Sequence, residues 1–91
     1  MDFKRTSDEI ASMLELKDRM YGKSFDKTLN EYGDILICIR LEDKLNRLKQ
    51  IILKREEDLN TNEKLEDTLK DLAGYAILSL IAIRKVKKKW L

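Results

Sequence analysis

Apolar residues recur along this chain at intervals of three and four, the spacing of helices that bury one side. The clearest case runs from Glu63 to Arg84. At about 100° per residue, Leu65, Leu69, Leu72, Ala76, Leu80 and Ile83 share one stripe, while Glu63, Asp67 and Asp71 step by four along a face roughly opposite. From Leu72 to Ile83 nearly every position is apolar, which predicts a helix covered on more than one side. Ala73 and Gly74 are small enough to let another helix approach closely beside Asp71.

Upstream, Thr6-x-x-Glu9 reads as a capping box opening a helix that reaches about Met20, with Ile10, Met13, Leu14 and Met20 on one face. Gly22 ends it. Ser24 is the expected cap of a short second helix in which Phe25, Thr28, Leu29 and Tyr32 repeat; Gly33 stops that one and Asp34 caps the next. The third helix is expected to reach about Glu57. Cys38, Leu41, Leu45, Leu48 and Ile52 form its main apolar stripe, flanked by a charged stripe of Arg40, Asp43, Lys44 and Arg47. The turn cluster Asp58-Leu59-Asn60-Thr61-Asn62 predicts a hairpin turning near residue 60. If the two helices are rotated to match, Arg47 and Asp43 come within reach of the Asp67–Asp71 face.

The composition narrows this picture to one all-α domain over residues 1–91, a bundle of four helices, two of them long and antiparallel. Charged residues make up 40% of the chain and hydrophobic ones 43%, with no proline and three glycines, a mixture that suits amphipathic helices rather than strands. A core this small, with a helix apolar all round, predicts a homo-oligomer, a dimer or higher, through the helix at 63–88. Ile77, Leu78 and Ile81 would be covered there. The absence of histidine excludes Ser-His and Cys-His catalysis and histidine-ligated zinc. The lone Cys38 cannot form an intrachain disulfide and reads as packing within its apolar run. A charged N-terminus and an apolar run too short for a span of about 20 residues predict a cytoplasmic protein with no membrane partner. A net charge of +2 argues against general nucleic-acid binding, and the basic cluster at Arg84-Lys85 and Lys87-Lys88-Lys89 reads as a solvated helix end.

Carboxylates interleaved with arginine and lysine make sense chemically as a phosphate site: carboxylates can hold Mg²⁺, and guanidinium forks take phosphate oxygens directly. The same charges at i, i+4 also occur on any solvated helix, and both readings stay open on pattern alone. No glycine-rich phosphate loop is present.

Three blocks together carry a resemblance: Tyr21-Gly22-x-Ser24-Phe25, then Arg40-Leu41-x-Asp43-Lys44-Leu45-Asn46-Arg47-Leu48, then Glu66-Asp67-Thr68-Leu69-x-Asp71-Leu72-Ala73-x-Tyr75-Ala76. Over about residues 17 to 83 the chain resembles a phage and bacterial family, the nucleotide-modification-associated domain, akin to MazG-like all-α nucleotide pyrophosphohydrolases. The resemblance implies a helical, usually oligomeric fold binding a nucleotide and Mg²⁺. It makes Asp43, Glu66, Asp67 and Asp71 the metal-side candidates, with Asp43 and Asp71 catalytic. It sets Arg40, Lys44 and Arg47 toward phosphates and Tyr21 near the base. Two departures stand out: Glu42-Asp43 replaces the usual Glu-x-x-Glu, and Asp67 and Asp71 are four apart where Glu-x-x-Asp is usual. The expected function is a Mg²⁺-dependent (deoxy)nucleoside triphosphate pyrophosphohydrolase. The alternative, which the surplus positive charge fits, is a non-catalytic phage sponge sequestering a signalling nucleotide of host defence in the host cytoplasm. A purely structural helical oligomer is the third reading.

Overall fold

The computed structural model describes residues 2–21, 23–54 and 60–90, the side chains of 21 and 86–90 excepted. These residues form four helices and no strand: α1 (Phe3–Tyr21), α2 (Ser24–Tyr32), α3 (Ile35–Leu53) and α4 (Thr61–Trp90).

Helix α1 starts one turn earlier than the capping box predicts. Asp2 supplies the cap, its Oδ1 accepting from the Arg5 N–H at 3.1 Å. Thr6 instead sits inside the first turn, its hydroxyl donating to the Asp2 carbonyl at 3.0 Å. Aspartate caps at least as well as threonine, so the earlier start satisfies more of the chain. Glu9 is freed from capping and stands 4.0 Å from Lys70 of α4. Neither Ser24 nor Asp34 acts through its side chain. Ser24 is the first residue of α2, and its carbonyl accepts from the Thr28 hydroxyl at 2.8 Å. Asp34 holds the cap position of α3 without a side-chain bond. Gly33 does stop α2, at φ 81°, a left-handed conformation that costs glycine little; its N–H donates to the Leu29 carbonyl at 2.8 Å. Helix α3 ends at Leu53, short of the expected Glu57, with the Lys54 N–H donating to the Gln50 carbonyl at 3.1 Å. Residues 58 and 59 of the expected turn lie outside the described residues.

Helices α3 and α4 make the most extensive packing in the chain. Leu36 shares a buried cluster with Ala82, and Lys44 lies beside Asp71 and Tyr75, so the two helices run antiparallel as a hairpin. The seam differs from the two apolar stripes of the sequence. On α4 it runs through Thr61, Leu65, Thr68, Leu72, Tyr75, Ser79 and Ala82, which are buried or half-buried. On α3 it runs through Ile37, Leu41, Lys44, Leu48 and Ile51, all half-buried. Both step by alternating threes and fours, the register of a helix pair that keeps one line toward its partner.

Thr68, only 1% exposed, and Ser79 are tolerated there because each hydroxyl donates to its own helix. Thr68 Oγ1 reaches the Lys64 carbonyl at 2.8 Å and Ser79 Oγ the Tyr75 carbonyl at 2.6 Å. Their small size lets α3 come close. The consequence is a rotation of both helices by about one residue from the predicted stripes. Leu69, Ala76 and Leu80 of α4 and Cys38, Leu45 and Ile52 of α3, read from sequence as core, are exposed. Cys38 is therefore not packed within the chain.

The seam also fixes the two sides of the hairpin. Side chains one position before the seam on antiparallel helices project to one side, those one position after it to the other. Helices α1 and α2 cover the first side. Met13 and Leu14 of α1 rest on Gly74, where an added Cβ would meet Leu14 Cδ2 at 3.0 Å and Met13 Cε at 3.3 Å. The close approach expected at Gly74 is thus made by the chain's own α1. Phe25 and Leu29 of α2 pack with Leu36, Ile37 and Ala82. No described helix is long and apolar enough to cross a membrane.

Candidate functional site

Under α1 and α2, on that first side of the hairpin, lies a cavity of about 550 Å³. Its floor is apolar, from Leu14, Phe25, Tyr75, Leu78 and Ile81. The Phe25 and Tyr75 rings meet at 6.0 Å between centroids with their planes tilted by 49°. Charged groups surround the floor: Glu15, Lys17 and Asp18 from α1, Lys23 and Asp26 at the start of α2, Asp71 and Lys85 from α4. Leu78 and Ile81, where an intersubunit contact is expected, line this cavity, and Ile81 remains 45% exposed.

Two ion pairs converge on Asp71. Lys17 Nζ stands 3.2 Å from Oδ1 and Lys44 Nζ 3.5 Å from Oδ2, so one carboxylate bridges cations from α1 and α3. Lys44 also lies 5.9 Å from the centroid of the Tyr75 ring, a cation–π distance. At the far end of the cavity, Lys85 donates to Asp26 Oδ2 at 3.1 Å. The Asp71 side chain is 25% exposed and that of Lys17 50%, so this cluster exchanges with solvent rather than standing sealed in the core.

The structure sorts the predicted site residues. Asp71 and Lys44 are brought into contact. Arg40, Asp43 and Arg47 precede seam residues of α3, and Asp67 and Asp71 precede seam residues of α4, so all five project from the same side of the hairpin. Arg40, Asp43, Arg47 and Asp67 are exposed there. Glu66 follows Leu65 of the seam and projects to the opposite side, away from the other carboxylates. The Tyr21 side chain lies outside the described residues. Among the described residues no three carboxylate or thiol groups stand together so as to hold a metal ion. Asp71 is itself paired with Lys17 and Lys44.

Pattern reading passed over Lys17, Phe25 and Tyr75. Lys17 lies on an otherwise ordinary charged helix, and nothing local marks it. The two aromatics carry a signal, since each sits in a block that also holds charged candidates.

These features define a small all-α protein whose helical hairpin carries a mixed aromatic and charged cavity beneath its first two helices. The chain belongs to the nucleotide modification associated domain 1 family, whose sequence profile matches residues 17–83. The match takes in the end of α1, all of α2 and α3 and most of α4, and so covers the cavity residues from Lys17 to Ile81 but not Met13, Leu14, Glu15 or Lys85. Among curated proteins and among solved structures, nothing matches the chain.

Proposed function

We propose that this protein binds a nucleotide in the cavity between α1, α2 and α4. The observation that carries the reading is the meeting of Lys17 and Lys44 beside the Phe25–Tyr75 pair. A nucleotide needs cations for its phosphates and a flat apolar wall for its base, and here they are neighbours. Arg40 and Arg47 project from the same side of the hairpin and extend the cationic surface for a longer phosphate chain. Membership of a nucleotide-modification family supports the ligand class.

Two activities follow from such binding. Sequestration of a signalling nucleotide, the role of a phage sponge, needs only the binding groups, and the occupation of Asp71 by two lysines favours it. Release of pyrophosphate from a (deoxy)nucleoside triphosphate, the MazG-like reaction, is favoured by the shared side of Asp43, Asp67 and Asp71 with Arg40 and Arg47. On that reading Asp43 and Asp71 orient the attacking water, while the arginines and Lys44 neutralise charge on the phosphates.

One pair of assays tests both. The protein is incubated with a panel of linear and cyclic nucleotides plus Mg²⁺, pyrophosphate release is followed, and binding is measured separately in EDTA. Turnover that stops in EDTA and is abolished by Asp71→Asn supports hydrolysis. Binding in EDTA without turnover supports sequestration. No binding to any nucleotide would sink the proposal.

A further inference from the structure

We infer that Asp71 is a built-in counter-anion, holding Lys17 and Lys44 where a ligand's phosphate group takes its place. The inference rests on the nucleotide reading above and gives Asp71 a different part in it, that of a competitor to be displaced. The geometry points that way. Each carboxylate oxygen serves one ammonium, at 3.2 and 3.5 Å, so a single anionic group spans two helices as a phosphate with its several oxygens could. The cations come from α1 and α3, and the anion from α4 between them. Asp71 and Lys17 both line the cavity, and both are open enough to solvent for an incoming anion to compete.

Around the cavity, Lys17, Lys23 and Lys85 face Glu15, Asp18, Asp26 and Asp71, with Lys44 reaching Asp71 from behind Tyr75. Four ammonium groups thus balance four carboxylates. A phosphate that reaches Lys17 and Lys44 must take them from Asp71, whereas Lys23 enters none of the ion pairs among the described residues. Lys85 is held by Asp26 at the far end, so the exchange nearest the inner phosphate site falls on Asp71.

The test is calorimetric titration of inorganic tripolyphosphate in EDTA into the parent, Asp71→Asn and Asp71→Ser, alongside the parent with the nucleotide panel. Removing the competing charge should tighten tripolyphosphate binding about three- to tenfold, the scale of a partly exposed ion pair. The gain should vanish when Lys17→Ala and Lys44→Ala are added, and should shrink as salt is raised. Equal or weaker binding by both folded variants, with nucleotide still bound by the parent, would overturn the displacement and leave the nucleotide reading standing. Loss of helical circular dichroism in both variants would make Asp71 a structural tie and overturn it as well. If neither tripolyphosphate nor any nucleotide binds parent or variants, the nucleotide reading itself falls and takes this inference with it.

Discussion

Lys44 occupies a position that the neighbouring turns of α3 give to Leu41, Leu48 and Ile51. An ammonium on the seam of a helix pair fixes register at a cost in stability, because its charge must be led out to a partner. Here it reaches Asp71 and the Tyr75 face. A site that is better for ligand than for packing should reveal itself when the two are separated. Lys44→Met keeps the length of the side chain and removes the charge, while Asp71 retains Lys17. The expected result is a melting temperature higher by roughly 2–4 °C, corresponding to about 0.5 kcal/mol in a domain of this size. Nucleotide affinity should fall about fivefold, the loss of one partly exposed charge contact. Thermal denaturation and calorimetry check the two halves. A lower melting temperature would make Lys44 a tie of the hairpin, and unchanged affinity would remove it from the ligand site.

At the scale of elements, the four helices, their order and the antiparallel hairpin were legible in the spacing of apolar residues and in the glycines. The rotation of the long helices was not. Thr61, Thr68 and Ser79 count as polar in any periodicity, yet they line the seam because Thr68 and Ser79 return their hydroxyls to their own helix. That one-residue shift decides which charged residues meet. Asp43 and Arg47 are exposed on the first side of the hairpin, whereas Lys44 is the residue turned inward to Asp71. The partnership of Lys17 with Asp71 was beyond reach, since it depends on how α1 lies across α4. Gly74 sets that placement. An alanine there meets only the ends of two flexible side chains, and helix propensity favours it over glycine by about 1 kcal/mol, so Gly74→Ala should leave stability within roughly 1 kcal/mol of the parent. Gly74→Leu cannot be absorbed in this way. It should lift α1, cost about 1–3 kcal/mol by denaturant unfolding and weaken nucleotide binding with it, because Lys17 rides on α1. Gly74→Leu with unchanged stability and affinity would show that α1 does not position the site.

For the whole molecule the shifted seam has a larger consequence. The two stripes that read as core, Cys38, Leu45 and Ile52 on α3 and Leu69, Ala76 and Leu80 on α4, follow seam positions and so lie together on the second side of the hairpin. Nothing among the described residues covers that side. Leu45 is 43% exposed, Ile52 47%, Leu69 52% and Leu80 49%, in rows that run along both long helices. Such a face is elongated, with apolar rows interrupted by Glu42, Lys49 and Glu66, and spaced like a helix-packing surface, so a second copy turned about a two-fold axis matches it in length and spacing. Two hairpins joined there would stack as a four-helix bundle, with the proposed nucleotide cavities on its outer sides rather than at the interface. Covering those four half-exposed side chains on each copy removes their apolar area from water, the term that favours association. The rims, with Ile39 on α3 and Ile77 on α4, add to this. The expected outcome is a homodimer whose population rises with concentration. Light scattering should give twice the 10.8 kDa chain mass at tens of micromolar, falling to one chain on dilution. Leu69→Glu or Leu80→Glu should yield a folded monomer that still binds nucleotide, whereas Ile81→Glu, within the cavity, should impair binding without dissociating the pair. A parent that stays monomeric at high concentration, or a Leu80→Glu variant that remains dimeric, would rule this face out as the interface.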